Sequence, residues 1–422
     1  MKTLLRSIVA SILASLARAI VAKYEPTIVM VTGSVGKTST KDAAAVALSA
    51  RYRLRASEKS YNSEFGVPLT IIGAKNPWEN AAAWFEVIGH GVSLILTTHD
   101  YPEMLVLEVG ADRPGDLEKI LRIATPDAVI VTRLPDVPVH VEAYASPQEV
   151  RDEEFRPAYA LRPGCPLVIS ADDEHARAMA ERLDANVLTV GYANDADVHI
   201  GIPAYIQGGM QAMVTTCGEK YTLRAEGALG RSQLYAPAMA LALATMLNMS
   251  ASQAEQALRG YVPPPGRARV LPGIKGSLIV DDSYNASPAA VAEALMALQM
   301  VPYTRRIAVL GDMLELGRFS REEHEQVGKL AYDYVDLLIT VGPRSEATRD
   351  AARSAGMRDT ETLGFSTSLE AAHALQDMVR EGDVIVVKGS QGMRMERISE
   401  VLLADKSDTR HLVRQDKEWK KR

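Results

Sequence analysis

Apolar residues gather in short runs, separated by longer stretches of helical periodicity. The run Thr27–Val31 (TIVMV) enters a Gly-rich turn, and a helix is predicted from about Lys41. Further strand-like runs cover Met104–Val109, Ala128–Thr132, Leu167–Ser170 and Val187–Val190, alternating with helical stretches such as Asp116–Ala124 and Glu174–Leu183. An apolar helix is predicted over Tyr235–Leu247. Such alternation predicts an α/β fold with a parallel sheet. At Val262-Pro-Pro-Pro-Gly266 three consecutive prolines fit neither helix nor sheet interior, which marks a domain boundary. Beyond it a second alternation begins, with strands at Leu278–Asp282, Ile307–Gly311, Leu337–Val341 and Val384–Lys388. This predicts a smaller, Rossmann-like doubly wound domain. The expected division is an N-terminal helix at 1–26, a central domain at 27–263, a second domain at 264–405 and a charged tail at 406–422. The tail reads as a solvated, partly mobile end.

The first 23 residues form one predicted amphipathic helix. Leu5, Ile8, Ile12, Leu16 and Ile20 repeat at helical spacing, with Ser7, Ser11 and Ser15 on another face. Its uncharged core, Ser7 to Ala17, is shorter than a bilayer span requires. Two placements stay open: packing on the protein itself, or lying on a membrane surface or partner with help from Arg6, Arg18 and Lys23.

Composition narrows the function. The 422 residues carry 47 basic and 53 acidic side chains, a net charge of -6. That excludes a bulk nucleic-acid binder, which needs a basic excess. The two cysteines, Cys165 and Cys217, make neither a disulfide framework nor a zinc spacing, and read as buried small hydrophobes. A reducing, cytoplasmic setting follows, and a monomer is expected.

The most specific motif is Thr32-Gly33-Ser34-Val35-Gly36-Lys37-Thr38-Ser39, placed between a strand and a helix as a phosphate-binding loop requires. Backbone amides of Gly33, Ser34, Val35, Gly36 and Ser39 would cradle phosphate at a helix N-terminus. Lys37 would reach the terminal phosphates and the Thr38 hydroxyl would ligate Mg²⁺. Only two residues separate Gly33 from the Gly-Lys pair, against four in the common form.

In that shortened form the loop resembles the one found in the Mur ligase family. Four further stretches resemble family segments in the same order: Asn62-Ser63-Glu64-Phe65-Gly66-Val67-Pro68, Glu108-Val109-Gly110-Ala111-Asp112-Arg113-Pro114-Gly115, Asp281-Asp282-Ser283-Tyr284-Asn285-Ala286-Ser287-Pro288, and the pair Gly311–Gly317 (GDMLELG) with Lys388-Gly389-Ser390. The similarity runs from about Thr27 to Leu403, and within the family it is to the branch that adds D-alanyl-D-alanine in bacterial cell-wall synthesis. The resemblance implies ATP and Mg²⁺ as cofactors, an acyl substrate and an amine substrate, and amide formation through an acyl phosphate. It implies that Lys37, Glu108, His140 and Arg267 act on the phosphates and metals. Glu108 and Thr38 would hold one Mg²⁺ and His140 a second. Asp282, Tyr284 and Asn285 would contact the nucleotide, and Asn62, Lys388 and Ser390 the substrates.

The sequence departs from the family pattern at four places. Where members carry a carbamylated lysine this chain has Glu154, which either supplies a metal-binding carboxylate or lies on a solvated acidic helix face. The segment from Thr132 to His140 is two residues longer and lacks the usual Asn. The adenine-side Asn is replaced by Ala236, which puts the nucleotide preference in question. About 26 residues precede the first core strand, so the domain with which the family grips a UDP-sugar is expected to be missing. Two rivals remain: another amide ligase of the superfamily, of folylpolyglutamate or poly-amino-acid type, or a nucleotide-binding accessory protein without catalysis.

Overall fold

The computed structural model describes residues 2–58, 61–77, 80–206, 208–416 and 419; the side chains of 2–6 and 81 lie outside that description. The first sheet contains β1 (Thr27–Thr32), β2 (Leu54–Ala56), β3 (Met104–Glu108), β4 (Ala128–Val131), β5 (Pro166–Ser170), β6 (Asn186–Gly191), β7 (Val198–Ile200), β8 (Ala204–Ile206), β9 (Gly209–Thr216) and β10 (Glu219–Glu226). Its order is β10-β9-β7-β6-β5-β4-β1-β3-β2, with β8 also on β9. From β2 to β7 the pairs are parallel, and β7, β9 and β10 then run antiparallel. Parallel strands covered by helices on both faces read as unbroken apolar runs, which is why β1, β3 and β4 stand out in the sequence.

The second sheet contains β11 (Arg269–Pro272), β12 (Leu278–Asp282), β13 (Arg305–Gly311), β14 (Leu337–Val341), β15 (Thr362–Phe365) and β16 (Asp383–Lys388), in the order β11-β12-β16-β13-β14-β15. All neighbours are parallel except β11 with β12. Both sheets thus have the doubly wound α/β character expected. The antiparallel β8–β10 edge was not expected, because its strands lie outside the βα alternation. Its tight turn, Cys217-Gly218, has positive φ at both residues (49° and 79°), the backbone a two-residue hairpin favours. That turn holds Cys217 exposed, and Cys165 is half-buried, so neither is the buried hydrophobe expected; both are free thiols.

The N-terminal helix spans Lys2–Tyr24 and packs on its own domain. The buried stripe is Leu13, Ala17 and Ile20, rotated from the expected one: Ile8 and Ile12 are exposed, and the Leu5 side chain lies outside the described residues. Lys23 Nζ donates to the carbonyls of Leu94, Ile95 and Thr97, the C-terminal end of helix Ala81–Leu96. A cation there satisfies carbonyls that have no intrahelical donor. Ser7–Tyr24 is long and apolar enough to cross a membrane, with a mean hydropathy of 1.5. That window qualifies by length and composition only and includes Arg18 and Lys23; the uncharged run within it still ends at Ala17. Ile8 and Ile12 on this helix, and Phe85 and Leu96 on the neighbouring helix, are exposed apolar side chains.

The tail is also corrected. Residues Lys406–His411 form a 3-10 helix capped by Asp405, Leu412 joins the core of the second domain, and Arg414 is buried. Residues 417, 418 and 420–422 lie outside the described part.

Inside the second domain Asp281 is fully buried, and burial pushes its carboxyl up to about 6. Ser399 Oγ donates to its Oδ1 at 2.8 Å while Oδ2 has no partner. A folded-state value above the unfolded one means the native protein holds the proton more tightly. Stability from this group is then present at low pH and is lost as pH rises through about 6. Asp281→Asn, which cannot ionise, should remove that slope. Urea unfolding at pH 5 and pH 7.5 checks this: relative to the variant, wild type should lose on the order of 1–1.5 kcal/mol between the two, because part of the effect is already lost between the ordinary aspartate range and pH 5.

Candidate active site

The site forms where β1, β3 and β4 end side by side, at their C-terminal edge, the usual ligand position in an open parallel sheet. The chain leaves β1 at Thr32 and turns through Gly33 (φ +112°) and Gly36 (φ +92°) into helix Lys37–Ser49. Only glycine suits position 33, since a Cβ there would lie 2.4 Å from Thr132 Oγ1. The amides of Ser34 and Val35 donate to the Arg133 carbonyl, so these two are tied to the neighbouring loop. The anion cradle is left to the turn at Gly36 and the first amides of the helix, which point outward without intrahelical acceptors.

Charge is concentrated under this loop. Glu108, at the end of β3, is buried, and its Oε2 has no hydrogen-bond partner. Burial pushes its carboxyl up, against the pull of Lys37, Lys41 and Arg267 and a hydrogen bond from Thr38. Asn62 Nδ2 lies 3.5 Å from Glu108 Oε1, which places Asn62 beside the carboxylate. Lys41 was not anticipated. It is buried one turn into the helix, donating to Asp42 and to the Ser57 carbonyl at 2.7 Å. Its signal in the sequence was only a lysine four residues after Lys37, on the same helix face.

Glu154 is not on a solvated face. It is buried in helix Pro147–Tyr159, and its Oε2 accepts from the Gly33 amide at 3.2 Å and the Thr32 hydroxyl at 3.0 Å. Its Oε1 is 3.5 Å from Lys37 Nζ. Glu154 therefore sits beneath the phosphate loop and carries a fixed charge beside Lys37.

The second domain reaches the site in several places. Arg267 Nη2 donates to Thr38 Oγ1 at 3.2 Å, and its guanidinium lies 3.9 Å from the Tyr284 ring centroid. His140, in a left-handed backbone conformation, holds Glu315 Oε2 at 2.8 Å through Nδ1, with Asp112 3.5 Å from Nε2. Burial lowers the His140 pKa, but the hydrogen bond and charge of Glu315, with Asp112, outweigh it and the net direction is up. Asp112 and Glu315 were missed in the sequence, since neither sits near His140 along the chain. Lys388 Nζ pairs with Asp282 Oδ2 at 2.6 Å and donates to the Asn285 carbonyl at 3.1 Å. Ser390 is buried, its hydroxyl accepting from the Leu314 amide at 2.8 Å.

Between the sheets lies a cavity of about 260 Å³ that brings together Gly36, Arg267, Asp282 and Lys388 with Gln233 and Ala236. On its far wall Tyr235 donates to Asp172, and Arg231 stacks on Tyr192 at 4.2 Å. Asp172, Arg231 and Tyr235 line the cavity beside Ala236, with Tyr192 packed on Arg231.

The buried Glu108 carboxylate beside the Thr38 hydroxyl offers the hard oxygen donors Mg²⁺ prefers, and its unpartnered Oε2 fits that use. A glycine-bent loop at a helix N-terminus, with Lys37 and Arg267 over it, defines a nucleotide-binding α/β protein built to act on phosphate. The comparisons with known proteins carry this further. The Mur ligase middle domain matches residues 31–244 and the Mur ligase, glutamate ligase domain matches residues 266–391. The chain belongs to the Mur ligase family.

Among its relatives, the UDP-N-acetylmuramoyl-tripeptide–D-alanyl-D-alanine ligase of Mycobacterium leprae is 28% identical over 426 residues, covering 93% of this chain and 77% of that one. The structure of the MurF ligase of Thermotoga maritima in complex with ADP superposes with a TM-score of 0.77 at 27% identity, over 93% of this chain and 83% of that one. A folylpolyglutamate synthase of Mycobacterium tuberculosis complexed with ADP shares the fold at a TM-score of 0.62 and 15% identity, over 92% of this chain and 94% of that one. The protein is thus a MurF-like, ATP-dependent ligase.

Lys37 contributes to charge at the loop rather than to the core, so Lys37→Ala should keep the fold and lower turnover by about 10²–10³-fold or more. Circular dichroism and initial rates check the two halves. Residual turnover within about tenfold of wild type would remove Lys37 from the phosphate-handling role.

Proposed function

We propose that this protein joins the carboxylate of a muramoyl-peptide acyl substrate to the amine of D-alanyl-D-alanine or a similar dipeptide, with hydrolysis of ATP to ADP and phosphate. The observation that carries this reading is the cluster of Lys37, Glu108, Arg267 and His140 around one phosphate loop, with two domains meeting over it. ATP as substrate places the reaction on the cytoplasmic side. Two domains that meet near residue 264 divide the work, the first holding the phosphates and the second, with residues up to Arg414, closing over them.

In the first step an acyl carboxylate oxygen attacks the γ-phosphorus and ADP departs, giving an acyl phosphate. In the second the neutral amine attacks the acyl carbon, phosphate leaves, and the amine proton is lost. Lys37 and Arg267 would neutralise the crowded phosphate oxygens, the main requirement of phosphoryl transfer to an anion. Glu108 and Thr38 would hold Mg²⁺, which when bound supplies charge neutralisation at the phosphates. His140 would present Nε2 to a second Mg²⁺, since its Nδ1 is occupied by Glu315 and fixes the ring. Asp282, Tyr284 and Asn285 would bear on the nucleotide, Asn62 on the acyl end, and Lys388 and Ser390 on the loop that receives the amine. The exposed apolar side chains of the N-terminal helix and its neighbour suit a peripheral contact with a membrane or partner.

The direct test is amine-dependent phosphate release from ATP. It should require Mg²⁺ or Mn²⁺, and Glu108→Gln should lower it by about a hundredfold or more. Because the Glu108 carboxyl is raised, protons compete with metal at a higher pH than for an ordinary carboxylate. Apparent Mg²⁺ affinity should therefore fall as pH is lowered, before the usual carboxylate range is reached. Full activity in excess chelator would end the metal-dependent reading.

Glu154 supplies a permanent negative charge where family members carry a carbamylated lysine. Activity should thus be independent of added bicarbonate. Glu154→Lys should inactivate, and bicarbonate should restore part of its rate, because carbamylation converts the new amine into an anion. A wild-type rate that climbs with bicarbonate would mean that another lysine fills the role.

A further inference from the structure

Residues 413–416 and Trp419 are built into the nucleotide side of the second domain. Arg414 is the centre of that contact, with a side chain 4% exposed. Its Nη1 donates to the Ser283 carbonyl at 3.2 Å and to Glu396 Oε2 at 2.8 Å, and its Nη2 donates to the Tyr284 carbonyl. One planar cation therefore holds two consecutive carbonyls of the loop that follows β12. A forked guanidinium can do this; a lysine ammonium, a compact point charge, cannot match the fork.

The anchor is fixed from behind as well. Glu396 is buried and shares its other oxygen with Arg394 at 2.6 Å. The Trp419 ring centroid lies 5.7 Å from both guanidiniums. Val413 closes against Gly266, where a Cβ would come within 2.7 Å of Val413 Cγ1. The Gly266 carbonyl in turn accepts the Tyr284 amide at 3.2 Å.

From Tyr284 the contacts continue to the phosphate loop. Arg267 stacks on the Tyr284 ring and donates to Thr38 Oγ1. Arg414, Tyr284, Arg267 and Thr38 thus form an unbroken series that begins eight residues from the last one in the chain. A guanidinium over an aromatic face keeps one orientation only while the ring keeps its own. The ring's backbone is what Arg414 holds.

We propose that Arg414 is a positioning residue for the nucleotide: the C-terminal tail is a strap that fixes the Tyr284 turn, and through it the direction of Arg267 toward the phosphates. The proposal rests on the nucleotide-site reading above and deepens it. The strap acts first on nucleotide affinity, since none of its contacts touches Ser390 and it meets Lys388 only through the neighbouring Asn285 carbonyl.

Full-length Arg414→Ala and Arg414→Lys test it, by calorimetric ADP binding and by separate KM values for ATP and amine. Arg414→Ala should weaken ADP binding and raise the ATP KM by about tenfold, the loss of one charged hydrogen-bonding group, with the amine KM within twofold. Arg414→Lys should recover only part of this. On a Tyr284→Ala background, Arg414→Ala should add less than twofold, because its effect passes through Tyr284. A residue that merely stabilised the domain would lower the active fraction and leave the KM values alone. ADP affinities within twofold of wild type in both variants overturn the proposal. Should the Ala variant fail to fold, the Lys variant decides by the same criterion. Wild-type protein that binds no ADP overturns the nucleotide-site reading itself.

Discussion

Charges buried together at the ends of β1 and β3 govern this structure. Glu108, Glu154 and Lys41 are all nearly inaccessible, and Lys37 and Arg267 lie among them. A lone ion in such a place costs several kcal/mol, so each is tolerable only beside an opposite charge and with hydrogen bonds to its remaining atoms. Glu154 meets this with the Gly33 amide, the Thr32 hydroxyl and Lys37, and Lys41 with Asp42 and the Ser57 carbonyl. Glu108 alone keeps an unpartnered oxygen. The cluster stores one unsatisfied carboxylate acceptor beside Lys37 and Thr38, which is a physical reason for a cation to complete it.

The second domain is drawn into the same cluster. The linker after the prolines returns Arg267 to Thr38, and Tyr261 just before them donates to the Ser39 carbonyl at 3.1 Å. Both ends of the linker are thus tied to the helix that begins at Lys37. His140 and Glu315, one from each domain and both in the left-handed backbone region, meet at 2.8 Å. Strained backbone of this kind persists where surrounding contacts over-determine it, and it gathers at functional sites. The domain boundary therefore runs through the candidate site, since Thr38 and His140 come from one side of it and Arg267 and Glu315 from the other.

The cavity wall around Ala236 shows how a small side chain leaves room without emptying a wall. Ala236 leaves room, and the wall is supplied by Tyr235 on Asp172 and by Arg231 on Tyr192. The resemblance in sequence was strongest over the phosphates and weakest here. The reason is chemical: phosphate binding needs a particular backbone bend and fixed cations, whereas a purine can be held by many aromatic and amide surfaces.

By itself the sequence determined the two α/β units and the phosphate loop. Buried parallel strands must be continuous apolar runs, a boundary can hold three prolines, and Gly33 and Gly36 are required by a local backbone bend. It also named Lys37 from the loop motif, and Glu108, His140 and Arg267 through the resemblance to the family's segments. Local chemistry could not reveal partners distant along the chain. Glu154 looked equally like a metal ligand and a solvated acid until helix Pro147–Tyr159 was packed under Thr32 and Gly33. The stripe on the N-terminal helix was misread because its apolar residues surround the helix, and only its neighbours decide which of them are buried. The tail looked solvated because it is charged; tertiary structure decided otherwise, by bringing Glu396 and two backbone carbonyls within reach of Arg414. Periodicity reports which residues avoid water, but the pairing of buried charges depends on where distant strands and helices end, and only the folded chain fixes that.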